Sequence, residues 1–259
     1  MTEIITSLQN ERVKLAHGLQ TRARTRRKER KIVLEGAKLI QEALDRRHKP
    51  FFAFYQPDTA DYEMVAALQD RKVELFQVNG EVMRHASDME TPSGLLAVFP
   101  LPVPPLPKSP RHVLIFDNLR DPGNMGTMLR TAAAAGVDVA LLSPGCADPY
   151  NPKTLRSGMG AHFRLPVVEA EWYEIRDYCD GLTVYLAAGD GTLRYDRADW
   201  KKPWALIIGS EGEGAGRQAE EIATTRIHIP MAAQTESLNA AVAAGVVLFE
   251  AARQNFPDE

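Results

Sequence analysis

The sequence predicts two α/β domains: a small α/β sandwich over residues 1–99 and a larger domain built on a parallel sheet over residues 111–259. Three observations predict this. Short apolar runs alternate with helical segments in both parts, the pattern of a sheet covered by helices. Pro100 to Pro110 holds six prolines in eleven residues. Proline fixes φ and removes amide donors, so residues 100–110 read as an extended, semi-rigid linker, with a PxxP ligand as the alternative. Third, the apolar runs of the second part end in polar or glycine-rich loops, where open parallel sheets bind their ligands.

In the first part, Asn10 to about Leu19 reads as a helix, continued by the run Arg22–Lys31, which carries seven basic residues and one acid. Strands are expected at Ile32–Leu34, Phe51–Tyr55, Val73–Val78 and Gly94–Phe99, with helices at Gly36–Arg47 and Tyr62–Gln69. In the second part the strands are Val113–Phe116, Val139–Leu142, Leu165–Val168, Thr183–Ala187, Ala205–Ile208 and Ile227–Ile229. The helices are Met125–Ala135 (ended by Gly136), Lys153–Gly158, Trp172–Tyr178, Ala215–Ile222 and Ser237–Gln254.

Charge is unevenly placed. Residues 1–50 hold 13 Lys/Arg against 6 Asp/Glu, and the rest hold 18 against 28. A basic N-terminal part on an acidic body suggests an anionic partner for that part. The late charge-free stretch Ser237–Phe249 is too short to span a bilayer. Cys146 and Cys179 lie 33 positions apart, and the six histidines show no paired spacing, so neither a disulfide nor a metal is expected. No apolar secretory block follows the N-terminus, and Glu3 and Glu11 stand where a transit peptide would be basic.

Three segments at strand ends carry chemistry. The first runs from Phe116 to Ala132, a buried strand passing through a polar turn into a helix. Asn124 is placed at the helix entrance as a cap, with Arg130 six residues later. The second, Ile208-Gly-Ser-Glu-Gly-Glu-Gly-Ala-Gly216, is a glycine-rich loop in which Glu211 reads as a buried acid. Such a loop lets backbone amides approach a ligand, and it also resembles a degenerate dinucleotide loop. In the third, Ile229-Pro-Met231 leads to Ser237-Leu-Asn239 at the start of the last helix, where free amides favour anions. A plain serine cap accounts for Ser237 there but not for Asn239.

Taken together and in this order, the three segments resemble the motif set of the SpoU (TrmH-like) family of the SPOUT superfamily: N-x-x-x-x-x-R-T-A, then G-[SA]-E-G-x-G, then I-P-M followed by S-L-N. The stretch Lys153–Ala161 is also similar to that family's helix before its middle strand. Ala240-Ala241 departs from the Val-Ser that many members carry after the asparagine. The resemblance spans roughly residues 111–254, and the N-terminal part is similar to the family's substrate-binding extension through Ile32–Ile40.

The resemblance implies a C-terminal parallel domain with a deep trefoil knot. It also implies S-adenosylmethionine held there by Ala187, Ala188, Gly189, Gly209, Ile229 and Leu238, and a homodimer whose RNA sites are shared across the interface. The implied reaction moves the cofactor's methyl to a ribose 2′-hydroxyl of RNA. Large-subunit ribosomal RNA is the preferred substrate, with transfer RNA as the alternative. Arg130 would grip the adjacent phosphate and polarise the 2′-oxygen, since a guanidinium stays protonated and is ill suited to be a literal base. Asn124, Ser237 and Asn239 would hold that geometry, and Glu211 would orient Arg130 or Asn124 from behind. Arg22, Arg24, Arg26, Arg27, Lys28 and Arg30, with Arg156, are the expected RNA contacts, through phosphates.

Two other readings stay open on sequence: an RNA-binding knot protein without chemistry, and a nicotinamide oxidoreductase using Gly212–Gly216. A bacterial cytoplasm is the expected compartment. A mitochondrial or plastid matrix is the alternative, because Asp117–Asn124 and Gly158–Arg164 are also similar to organellar members.

Overall fold

The structure is a computed structural model that describes residues 4–210, 212, 214–232 and 238–256. Along the chain the first elements are β1 (Ile4–Ile5), α1 (Glu11–Thr21), α2 (Ala23–Glu29), β2 (Lys31–Glu35), α3 (Ala37–Asp45), β3 (Phe52–Tyr55), α4 (Tyr62–Asp70), β4 (Glu74–Val78), α5 (Gly80–Ala86) and β5 (Leu95–Pro100). There follow β6 (His112–Phe116), α6 (Pro122–Ala134), β7 (Val139–Leu142), α7 (Pro152–Gly158), β8 (Val167–Glu169), α8 (Trp172–Tyr178) and β9 (Thr183–Ala187). The last are β10 (Leu193–Arg194), β11 (Trp204–Ile208), α9 (Arg217–Ile222), β12 (Thr225–His228) and α10 (Ala240–Asn255).

Two compact units result: Met1–Pro102 with Tyr150–Gly160, and Val103–Pro149 with Ala161–Glu259. The segment around α7 therefore folds with the N-terminal unit, although its place in the sequence assigns it to the second domain. It packs on β2, Tyr150 Oη donates to Pro102 O, and Arg156 pairs with Asp88 at 2.5 Å. These are side-chain contacts distant in sequence, which local periodicity does not report.

The N-terminal unit has a five-stranded mixed sheet in the order β1-β4-β3-β5-β2, with β5 antiparallel to both neighbours. Val13, Leu19, Phe54, Val82, Met83 and Val98 are buried together on one side. The expected continuation of the first helix through 22–31 is corrected here. Arg22 is extended (φ −133°) and breaks the helix between α1 and α2. Beneath the break, the buried Arg26 turns back and donates from Nη1 to Leu19 O at 2.5 Å and to Gln20 O at 3.3 Å. These carbonyls at the end of α1 lack intrahelical donors, and the guanidinium supplies them. Arg26 is thus an internal brace and not a phosphate contact.

The second unit carries a seven-stranded sheet, β10-β12-β9-β11-β6-β7-β8, with every pairing parallel. Its central strands are buried on both faces, which is why they read as unbroken apolar runs. Leu114, Phe116, Leu206 and Ile208 point to the side of α6 and α10, meeting Met128, Leu129, Val247 and Leu248. Val113, Ile115, Ala205 and Ile207 point to the other side, against Ile175 of α8 and Ala219 of α9. The cap of α6 is Asp121, whose carboxylate accepts from Asn124 N at 2.7 Å, with Pro122 in the first turn. That corrects the expectation that Asn124 is the cap: Asn124 sits inside the first turn with its own side chain turned elsewhere.

Candidate active site

Three strands, β9, β11 and β12, end side by side at the carboxyl edge of the second sheet, at Ala187, Ile208 and His228. Their following loops and the start of α10 enclose a cavity of about 440 Å³. All six positions expected to hold a cofactor line this one cavity: Ala187, Ala188, Gly189, Gly209, Ile229 and Leu238. Such a volume, with mainly apolar walls and exposed loop backbone, suits a nucleoside-sized ligand.

The loops are packed too closely for side chains. A Cβ on Gly209 would lie 2.6 Å from the carbonyl of Gly214, and one on Gly191 would lie 2.5 Å from the carbonyl carbon of Ile227. The 209–216 loop closes on itself through Ser210 N to Gly214 O (3.0 Å) and Gly214 N to Ser210 O (3.1 Å). The 188–191 loop is tied to β12 by Ala188 N donating to Ile227 O at 2.9 Å. Arg226 adds ion pairs to Asp190 and Glu220.

One residue of this framework was not singled out from the sequence. Asp117, at the end of β6, is only 5% exposed. Its Oδ2 accepts from Gly216 N at 2.6 Å and its Oδ1 from Ser143 Oγ at 3.2 Å. The carboxylate therefore holds the far end of the glycine-rich loop to two strands. Its only sequence signal is an acid directly after a buried apolar run, where an unpaired charge would be costly.

Motifs one and three meet. Asn239 caps α10, its Oδ1 accepting from Ala241 N (3.0 Å) and Val242 N (3.2 Å), while its Nδ2 donates to Asn124 Oδ1 at 3.2 Å. Asn239 also lines the cavity. Arg130 lies six residues further along α6, which places it roughly 9 Å along the axis and about 120° around it from Asn124. It is exposed, has no hydrogen-bond or ion-pair partner among the described residues, and does not line the cavity. Glu211 and Ser237 lie outside the described residues.

In the N-terminal unit, Arg22, Arg24, Arg27, Lys28 and Arg30 are exposed, while Arg156 is engaged with Asp88. Both cysteines are free, and burial pushes the Cys179 thiol up to about 12. No cluster that could hold a metal occurs among the described residues, and no described helix is long and apolar enough to cross a membrane.

Comparison with known proteins follows the same division. Residues 111–249 match the SpoU rRNA Methylase family, and residues 10–97 match the MRM3-like substrate binding domain. The chain is 33% identical to the 23S rRNA (guanosine(2553)-2′-O)-methyltransferase RlmP of Bacillus subtilis, over 95% of this chain and 97% of that protein. It is 35% identical to the mitochondrial rRNA methyltransferase 3 of Mus musculus, over 88% of this chain and 69% of that protein. The crystal structure of an AdoMet-bound rRNA methyltransferase from Sinorhizobium meliloti superposes with a TM-score of 0.84 at 30% identity, covering 98% and 99% of the two chains.

Proposed function

The chain belongs to the SpoU rRNA methylase family, and from that premise we propose that the cavity at the ends of β9, β11 and β12 is where its methyl donor binds. The protein is an S-adenosylmethionine-dependent methyltransferase that modifies a ribose 2′-hydroxyl of ribosomal RNA, with the large-subunit RNA as substrate. The observation that carries the site is the convergence of all six expected cofactor positions on one cavity.

The donor supplies an electrophilic methyl on a sulfonium. The chain's own residues must then orient a weakly nucleophilic hydroxyl and ease its proton away. Asn239, fixed by its helix cap and by Asn124, sets the rim of the cavity from which the ribose is addressed. Arg130 grips the neighbouring phosphate and stabilises negative charge building on the 2′-oxygen, while the proton passes to another acceptor or to water. Ser237 and Glu211, which lie outside the described residues, are assigned as positioning groups by their places in the family motifs.

A trefoil knot is part of the reading. The chain pairs β11 beside β9 and then returns past β9 to lay β12 on its other side, a strand order that supports threading in this region. A homodimer is the other part. Val242 and Phe249 stand half exposed on α10, one helical heptad apart, and Arg130 does not line the cavity of its own chain. In the dimer, Arg130 of one protomer serves the cavity of its partner. A cytoplasmic setting fits the bacterial relative and an organellar one the mitochondrial relative; the cytoplasmic one is preferred.

Mixed dimers test the shared site. Neither Arg130→Ala nor Gly209→Val should methylate RNA alone. Mixed and re-equilibrated, the two should recover part of wild-type activity through one intact composite site. Equal loss in the mixture would place Arg130 and the cavity in one protomer.

A further inference from the structure

The N-terminal unit carries an aromatic ring that its core does not bury. Phe51 directly precedes β3, where Phe52, Ala53 and Phe54 are buried, yet its side chain is 52% exposed. Its backbone is fixed, with its amide donating to Val98 O at 2.8 Å. The ammonium of Lys31 lies 5.1 Å from the ring centroid, within cation–π range. Lys31 opens β2 opposite Pro100, so the ring and the cation flank the end of β5.

The surroundings are mainly basic, with Lys31 also pairing with Glu29 at 3.6 Å, and are held in place. Arg30, just before Lys31, ends α2 in the left-handed region (φ 51°), and its carbonyl accepts from Leu101 N at 2.8 Å. A helix of seven residues has little stability alone, and α2 is held by the buried Arg26 guanidinium under the end of α1. One arginine thus anchors the helix, and Arg22, Arg24, Arg27, Lys28 and Arg30 are left facing solvent.

We propose that Phe51, with Lys31 at its ring, is a stacking platform for an unpaired nucleobase of the RNA substrate, next to the phosphate-binding face of α2. The proposal rests on the RNA-methyltransferase reading. Unpaired RNA is bound by aromatic rings that stack bases, beside cations that track the backbone. An apolar protein partner would be met by a wider apolar surface than one ring among cations. Stacking here gives grip on single-stranded RNA without choosing the base, since every base has a π-face.

The test uses the full chain with deproteinised large-subunit ribosomal RNA and with short oligoadenylate. Phe51→Ala should weaken RNA binding and raise the KM for RNA roughly tenfold, with kcat at saturating RNA and S-adenosylhomocysteine affinity unchanged. Phe51→Trp should restore binding, and its added fluorescence should be quenched by oligoadenylate. The salt dependence of binding should keep its slope in Phe51→Ala, because stacking releases no counterions, and should fall by about one in Arg27→Ala. A Phe51→Ala protein that binds RNA within twofold of wild type overturns the platform, as does added fluorescence in Phe51→Trp that is indifferent to oligoadenylate. If either occurs while Arg27→Ala still weakens binding, the methyltransferase reading stands without the platform. Absence of RNA binding by the wild type would instead strike at that reading.

Discussion

Asn239 Nδ2 donates to Asn124 Oδ1 at 3.2 Å, joining the first turn of α6 to the first turn of α10 across 115 residues of sequence. The same Asn239 caps α10 with its other amide atom, so one side chain fixes a helix start and a motif contact together.

These two duties can be separated. Asn239→Asp keeps an acceptor for the α10 amides but loses the donor to Asn124. It should melt within a few degrees of wild type and lose most methyl transfer. Asn239→Ala loses both and should also be destabilised by about 1 kcal/mol, the usual worth of a cap. Thermal unfolding beside a transfer assay separates the two. An active Asn239→Asp enzyme would show that the Asn124 contact is dispensable.

Asp117 should act on cofactor binding through the glycine-rich loop. Asp117→Ala leaves Gly216 N without its acceptor and Ser143 Oγ with Pro144 O alone, and should raise the KM for S-adenosylmethionine several-fold while moving the KM for RNA little. Asp117→Asn can still accept from Gly216 N and donate to Ser143 Oγ, so it should rescue. Equal behaviour of the two variants would argue that the charge, not the hydrogen bond, matters.

Gly209 and Gly191 tolerate no side chain because backbone lies 2.5–2.6 Å from any Cβ. Alanine at either position should cost cofactor affinity by displacing a loop. Calorimetry with S-adenosylhomocysteine reads this directly, and wild-type affinity in Gly209→Ala would contradict the cradle described here.

Basic residues of one short run should divide by burial. Arg26→Ala should lower stability by about 1–3 kcal/mol, because two helix-end carbonyls lose a buried donor. Arg24→Ala should leave melting unchanged and weaken RNA binding in a salt-dependent way. The reverse pattern would show that the brace and the contact have been exchanged.

Acid should loosen the second unit through His162. Burial depresses this imidazole from 6.5 to about 4, and its Nε2 lies 2.8 Å from Pro149 O. The unfolded chain takes up the proton first as pH falls. The contribution of neutral His162 is therefore whole above pH 6.5 and is lost progressively down to about 4, about 3 kcal/mol in all. His162→Gln should flatten the fall in unfolding free energy between those pH values. An unchanged slope would assign the acid sensitivity to other groups.

Much of this was legible in the sequence. The parallel strands announced themselves as unbroken apolar runs because both faces are buried, and Val139–Leu142 and Thr183–Ala187 stand where expected. The two-residue strands β1 and β10 have too few residues to show a period. Asp121, not Asn124, caps α6: both are good capping residues, and Pro122 decides which is first. Arg26 could not be told from its neighbours because its burial depends on the end of α1 folding over it. The Asp117–Gly216 contact spans 99 residues and leaves no local pattern. The Asn124 and Asn239 motifs were visible singly, but only folding shows that they touch.

The most direct measurement incubates the protein with methyl-labelled S-adenosylmethionine and unmodified large-subunit ribosomal RNA, maps ribose methylation by alkaline-resistance sequencing, and repeats this with Arg130→Ala. The account predicts label at a discrete 2′-hydroxyl with the wild type, and none with Arg130→Ala despite wild-type affinity for S-adenosylhomocysteine. Label on a base, or full transfer by Arg130→Ala, would contradict it.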